Sequence, residues 1–368
     1  MQLQDNKYKY KYMTTQIVPM RSPDFNEAEL FTKYKATYWR ASVNMASQMG
    51  TFCSVIYAIY IFRHSWGSYM LCPLLTFSLY KIFICFHDCV HHSYSPNKTL
   101  NWVISNITGA LMLTSPNWIL GHHTHHLTNG QIDNPYHYKF NETVFITLNK
   151  YLAANKVAQQ VFHIIYHPLF YFVFFPNMHF FVMQRFHSIL QKYRRPEKIK
   201  ESMRQIVETQ LLNNVLIGVL FYGLYSYGIL AQYVISLTAG FSIGFFTFFN
   251  QHTFNPAYVE TSENWTFKNS GLLGSSFIQV PRLLSFFTDG IEYHHIHHIN
   301  SKIPGYNLHK YHDEVVATST AFDNITKLTL TDCFNNIWLM MYDEERKKYI
   351  TMAEAYAIAN VKESQKNE

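Results

Sequence analysis

Past residue 45 the chain alternates between long apolar runs and polar stretches dense in histidine. Met45 to Phe62 is the first run and Tyr69 to Phe86 the second, with only Arg63 to Ser68 between them. Each comes close to the roughly 20 residues that cross a bilayer core, and so short a link folds the pair into an antiparallel hairpin. A second pair, about Leu211 to Leu224 with its flanks and Ile229 to Phe249, is joined by Tyr225-Ser226-Tyr227-Gly228. The pattern predicts four transmembrane helices in two hairpins. Three other stretches are apolar but interrupted: Leu100 to Leu120 by Asn101, Asn106, Pro116 and Asn117, Val161 to Met183 by His163, His167, Pro168 and Pro176, and Asn264 to Thr288 by Gly271, Gly274 and Pro281. These are expected to lie along the interface or to re-enter on one side. The fold class implied is an all-α integral membrane protein, with four transmembrane helices in two hairpins plus interfacial helices and a cytosolic helical cap. Its expected divisions are 1–44, a polar cytosolic lead-in; 45–313, the membrane domain; and 314–368, a soluble helical tail.

Composition fits that outline. Apolar residues make up 48% of 368 and charged ones only 15%, with aromatics at 17%. The net charge of +6 reports topology more than nucleic-acid binding, because the basic residues gather in particular loops. The two hairpin links carry one arginine and no lysine, whereas Lys192 to Lys200 is strongly basic. Cytosolic loops carry such an excess of lysine and arginine, so that loop and both termini are expected in the cytosol. No secretory signal is expected, since no apolar core with a small-residue cleavage site follows the start. The five cysteines are odd in number and include no C-x-x-C pair, which argues against a disulfide framework or structural zinc. Cys89 falls two residues from both His87 and His91, on the opposite side of a helix, and is read as packing.

The chemistry lies in three histidine clusters, His87-Asp88-Cys89-Val90-His91-His92, His122-His123-Thr124-His125-His126 and His294-His295-Ile296-His297-His298, which hold eleven of the twenty histidines. Steps of three and four return to nearly the same face of a helix. His87 and His91 stand four apart. His122, His125 and His126 stand at i, i+3 and i+4, as do His294, His297 and His298, so each set can point its rings at one place. His123 and His295 fall roughly 100° away and are left out. His92 stays open, since a step of four or of five from His87 could close the first set. Neutral imidazole is the commonest metal ligand, and imidazoles near lipid are costly unless paired or coordinated. The clusters are therefore expected to converge on a two-metal centre, most simply di-iron, on one face of the membrane. Sharing metals requires an even number of crossings between clusters, which is why Leu100 to Leu120 and Val161 to Met183 are not counted as spans.

The three clusters, with Gly121 through Asn129, Gln251-His252, Glu292-Tyr293 before the third cluster and Ile303-Pro304-Gly305-Tyr306 after it, resemble the membrane fatty acid desaturases, in particular the acyl-lipid Δ12/ω6 kind. The resemblance runs in order from about residue 45 to 313. Val90 departs from the glycine common at its place in many relatives, which bears on packing near the metals and spares every ligand. The resemblance implies two Fe ions held by His87, His91, His122, His125, His126, His252, His294, His297 and His298, with O2 as co-substrate. Carboxylates suited to orienting the ligand rings are Asp88, Asp133, Asp289 and Glu292, with His92 beside them.

Removing hydrogen from an unactivated methylene needs a strong oxidant made from dioxygen with electrons supplied from outside. The expected reaction is insertion of a cis double bond into a fatty acyl lipid or acyl thioester held in an aromatic-rich tunnel, with Trp102, Trp118 and Phe140 in its lining. No His-Pro-Gly-Gly motif occurs, so no fused cytochrome b5 segment is expected, and the donor would be a separate cytochrome b5 or ferredoxin. In a eukaryote the membrane would be the endoplasmic reticulum, with the clusters facing the cytosol. Two rival readings remain: a related di-iron lipid hydroxylase or carotenoid ketolase, and a non-catalytic membrane metal-binding protein. The Ile303 to Tyr306 run favours the acyl enzymes, and the placement of the histidines at span ends rather than within spans argues against transport.

Overall fold

A computed structural model describes residues 27–133, 146–194 and 201–367. The Lys7 to Tyr12 part of the lead-in, Phe140, and residues 195–200 of the basic loop lie outside the described residues. The chain is mostly helical. Eleven helices position the site: α1 (Tyr38–Ile61), α2 (Cys72–Val90), α3 (Lys98–Leu111), α4 (Ile119–Thr128), α5 (Lys156–Ile165), α6 (Phe175–Phe181), α7 (Met203–Ser226), α8 (Leu230–His252), α9 (Arg282–Thr288), α10 (His294–Ile299) and α11 (Gly305–Thr318).

Among the described residues three helices are long and apolar enough to cross a membrane: α2, α7 and α8. The helix of the first apolar run, α1, is as long as α7, but it starts at Tyr38, well before Met45. The Thr37 hydroxyl caps it by accepting from the Arg40 amide at 3.3 Å, and the early start adds Arg40 and Asn44 to a run that already holds Gln48. Asn44 and Gln48 both donate to the buried Asp289 carboxylate, at 2.9 and 3.1 Å, where Lys81 of α2 stands 3.4 Å away. Burial raises the Asp289 carboxyl, and the Lys81 charge opposes that shift. This polar contact joins α1, α2 and the end of α9.

Between α3 and α4 the chain turns back among the long apolar helices. Such turns are tolerated only where backbone polar groups find partners in the protein, and α7, α8 and a neighbouring arginine supply them. Tyr233 donates to the Leu111 carbonyl oxygen at 2.9 Å, Asn213 to that of Thr114 at 3.1 Å, and Arg185 to that of Leu113. The stretch Leu100 to Leu120 accordingly leads away from His87 as α3 and comes back to it ahead of α4, where Trp118 lies 6.0 Å from the His87 ring and His122 faces His87. The Val161 to Met183 stretch also runs alongside α8, with Phe172 against Phe249 at 5.1 Å and Phe180 stacked on Phe241 at 4.3 Å.

The expectation of an all-α chain needs correction. Two short sheets occur among the described residues: β1 (Ile146–Thr147) pairs in parallel with β4 (Met341–Asp343), which pairs antiparallel with β5 (Lys348–Ile350), and β2 (Ser276–Gln279) pairs in parallel with β3 (Thr326–Thr329). The Asn264 to Thr288 stretch therefore contains a strand. The tail is not helix alone, and residue 313 falls inside α11. These strands are two to four residues long and, apart from the β4–β5 hairpin, pair with distant partners, so no local alternation announces them.

Candidate metal centre

The rings meet because four helices end, or lie, at one level. α2 delivers His87 and, at its C-cap, His91; α8 ends at His252; α4 and α10 are short helices laid between them. Nine buried histidines form two donor sets, His87, His91, His122, His126 and His297 in one, and His125, His252, His294 and His298 in the other, each with its ring nitrogens within 4.8 Å of one another. The sets touch, as His126 stacks on His298 at 4.3 Å.

This differs in one respect from the spacing argument. The i, i+3, i+4 histidines do not share a target. On α4, His122 and His126 serve one set and His125 the other; on α10, His294 and His298 serve one and His297 the other. Residues at i+3 and i+4 stand about 100° apart around a helix, one to each side of the mean face, so each short helix straddles both sets.

The residues present fit metal ions. Nε2 faces Nε2 from His87 to His122 at 3.1 Å, His122 to His126 at 3.0 Å and His126 to His297 at 3.0 Å. In the other set the series runs from His125 to His298 at 3.1 Å, His298 to His294 at 3.1 Å and His294 to His252 at 2.9 Å. A neutral ring offers one proton, which serves one neighbour. Three contacts in a row among four such nitrogens can therefore hold at most two full hydrogen bonds and leave one close contact unserved, whereas cations receiving a lone pair from every ring account for all of them. Two tautomers are fixed independently. His252 Nδ1 can only donate to the Gly274 carbonyl oxygen, at 3.0 Å, and His87 Nδ1 donates to the Asp88 carboxylate at 3.3 Å. Both leave Nε2 with a lone pair aimed inward, as metal-ligating histidines commonly do. His91 Nε2 is buried with no hydrogen-bond partner. Burial, reinforced by neighbouring charges, holds His91, His122, His126, His294, His297 and His298 well below the usual imidazole range, so they stay neutral and able to coordinate.

The residues expected around the rings divide. Asp88 is buried, holds His87, and accepts from the Gly305 amide at 2.6 Å; a Cβ at Gly305 would run into the Asp289 carbonyl oxygen, so the Ile303 to Tyr306 run needs glycine there. Glu292 is buried two residues before His294, and burial pushes its carboxyl up to about 7. Asp289 is buried in the Lys81, Asn44 and Gln48 contact rather than against a ring. Asp133 is exposed and accepts from the Ser262 amide and hydroxyl at 2.8 and 2.7 Å, and His92 is exposed with φ 57°. Neither joins a donor set: the left-handed turn at His92 swings it outward, and Asp133 caps a loop. His123 is exposed, and His295 pairs with His312 at 3.3 Å. Cys89 packs with Ala41, Cys85 and Tyr94, and Val90 with Phe86 and Trp118. Sequence reasoning missed the Gly274 carbonyl, whose only signal is a glycine interrupting an apolar stretch, and Phe248, whose ring lies 5.0 Å from that of His125.

A cavity of about 370 Å³ abuts both sets, with His87, His122 and His294 in its wall. The rest of the lining is largely aromatic and aliphatic, from α2, α6, α8 and the Phe170–Phe174 turn. Trp118 lines it and stacks on His122 at 4.2 Å. Trp102 does not; it is exposed on α3.

Nine imidazoles that converge where the spanning-length helices α2 and α8 end, beside a largely apolar cavity, define a histidine-rich metal-binding membrane protein. A family model of fatty acid desaturases matches residues 64–324. A fatty acid desaturase of Bacillus subtilis is 31% identical over 77% of this chain and 78% of its own length. An sn-1 acyl-lipid omega-3 desaturase (ferredoxin) of Nostoc is 24% identical over 70% and 69%, and an omega-3 fatty acid desaturase of the endoplasmic reticulum from Nicotiana tabacum is 22% identical over 82% and 80%. The chain belongs to the fatty acid desaturase family and is an oxidoreductase.

Proposed function

We propose that the protein introduces a cis double bond into a fatty acyl chain, using dioxygen and a pair of irons, one in each histidine set. The observation that carries this reading is the shared wall: rings of both sets border a cavity whose other walls are largely apolar, and its volume falls in the range of small-molecule sites. The ligands are His87, His91, His122, His126 and His297 on one side and His125, His252, His294 and His298 on the other. All-imidazole donors suit iron, zinc or copper, and family membership favours iron. Bound there, two irons supply the reduction of dioxygen and the removal of two hydrogens from neighbouring methylenes.

The chain's own residues do the rest. Asp88 and the Gly274 carbonyl hold protons on the outer nitrogens of His87 and His252, which keeps the inner nitrogens free. The aromatic walls exclude water and align the acyl chain beside His87, His122 and His294. Turning CH2–CH2 and O2 into CH=CH and two waters consumes two electrons and two protons, so a separate donor is required. The Nostoc relative's name includes ferredoxin, and a ferredoxin or cytochrome b5 fits here. Four spans are proposed, α1 with α2 and α7 with α8, with the histidines and both termini on the cytosolic face and residues 45–313 as the membrane domain. The substrate is an acyl lipid or acyl thioester.

The test is gas chromatography of lipids from a host expressing the protein. New monoenoic or dienoic chains are expected. Oxygenated chains would point instead to a hydroxylase or ketolase, and an unchanged profile with iron-loaded protein present would contradict the reading.

A further inference from the structure

The cavity follows α8 inward from the centre. Gln251, Phe248, Thr247, Gly244, Phe241 and Gly240 all line it, and between Gln251 and Gly240 the helix rises about 16 Å. Along that face two positions have no side chain. A Cβ on Gly244 would meet nothing within 4 Å, and one on Gly240 only the Thr76 carbonyl oxygen at 3.9 Å. Backbone packing therefore does not require glycine at 244; φ there is helical, and the position opens on empty space. The inner end is lined by Met112, Phe180 and Phe241, each buried. None offers a donor to an ester or thioester, and a polar head left without a hydrogen bond is costly to bury. Two further polar side chains of the lining, His179 and Gln184, are hydrogen-bonded to each other at 2.8 Å.

We propose that Gly244 sets how much acyl chain is accepted on the methyl side of the oxidised carbons. This rests on the acyl desaturase reading above and adds to it a specificity-determining position. The methyl end runs past Gly244 toward Gly240, Phe241 and Met112. Gly244 and Gly240 lie one turn apart, about 6 Å along the axis. An extended carbon chain advances about 1.2 Å per bond, taking three backbone bonds per residue as the guide. A side chain at 244 therefore excludes about five carbons.

The test uses the purified full-length, metal-loaded protein and its Gly244→Leu, Gly244→Val and Gly218→Leu variants. Leucine is also a better helix former than glycine, so α8 should hold. Gly218 is the control: on α7 its Cβ would likewise meet nothing within 4 Å, and it is absent from the cavity wall. A homologous series of saturated fatty acids competes with a fluorescent conjugated polyene fatty acid. The expected result is a chain-length optimum shifted down by about five carbons in Gly244→Leu, a smaller shift in Gly244→Val, and none in Gly218→Leu. Wild-type optima in both Gly244 variants overturn the proposal. So does an equal shift in the control, or loss of binding in Gly244→Leu with a wild-type optimum in Gly244→Val. Wild-type protein that binds no acyl chain at all, though fully metal-loaded, would instead count against the desaturase reading.

Discussion

At the centre, a few polar atoms from α2, α4, α8 and α10 fix everything. In the cavity beside it, many apolar atoms each contribute a little. The centre is over-determined: eight of its nine rings face one or two others at about 3 Å, and outer acceptors lock two of them. The cavity wall is assembled from helices and turns far apart in sequence, held by rings such as Phe180 on Phe241 and by burial. The contrast teaches that single changes at the centre should act as switches, whereas changes along the cavity should act as dials.

The sharpest break is expected at the ligands. His125→Ala or His297→Ala removes one donor from each set respectively and should abolish product while the protein stays in the membrane; lipid analysis and membrane fractionation check both halves. Undiminished product would remove that residue from the centre. Asp88→Asn loses the carboxylate that holds His87 and should weaken metal binding by about 10- to 100-fold, read by iron retention against a chelator. Trp118 belongs to both regions, so Trp118→Ala should cost about 3 kcal/mol of stability and also loosen His122, measured by thermal melting and iron content together. Loss of stability with unaltered iron retention would place Trp118 with the cavity alone.

Acidification tests the centre by another route. Six of its imidazoles are held below their ordinary value near 6.5. The unfolded chain then binds more protons than the folded one as pH falls through that value, so this stability is present above it and lost below. Melting temperature of the metal-free protein should be flat above about 6.5 and fall progressively beneath it; a rise on acidification would contradict the burial argument. The mildest change is Phe241→Leu at the inner end of the cavity, expected to cost about 1 kcal/mol and to alter activity only a few-fold, with iron content unaltered.

The same contrast explains what is legible in the sequence. Histidine spacing is local, so the residue pattern alone puts His122 and His126 on one face, and the short links at Arg63 to Ser68 and Tyr225 to Gly228 announce the hairpins. Which ring serves which donor set is not legible, because the 100° between His125 and His126 matters only once α4 lies between two partners. Nor are the strands: Met341–Asp343 pairs with Ile146–Thr147 across nearly two hundred residues, and neither segment carries an alternating pattern long enough to notice. Trp118 and Trp102 look alike as tunnel candidates, since composition cannot tell a ring stacked on His122 from one facing outward. The depth of the cavity along α8 is likewise not written in the clusters, since its wall includes positions such as Gly244 that attract no attention as residues.

The most direct test of the whole is iron stoichiometry with iron-edge X-ray absorption on the purified protein. The account predicts two irons per chain, bound to imidazole nitrogen without sulfur. A single iron, none after full loading, or a sulfur-bound site would contradict it.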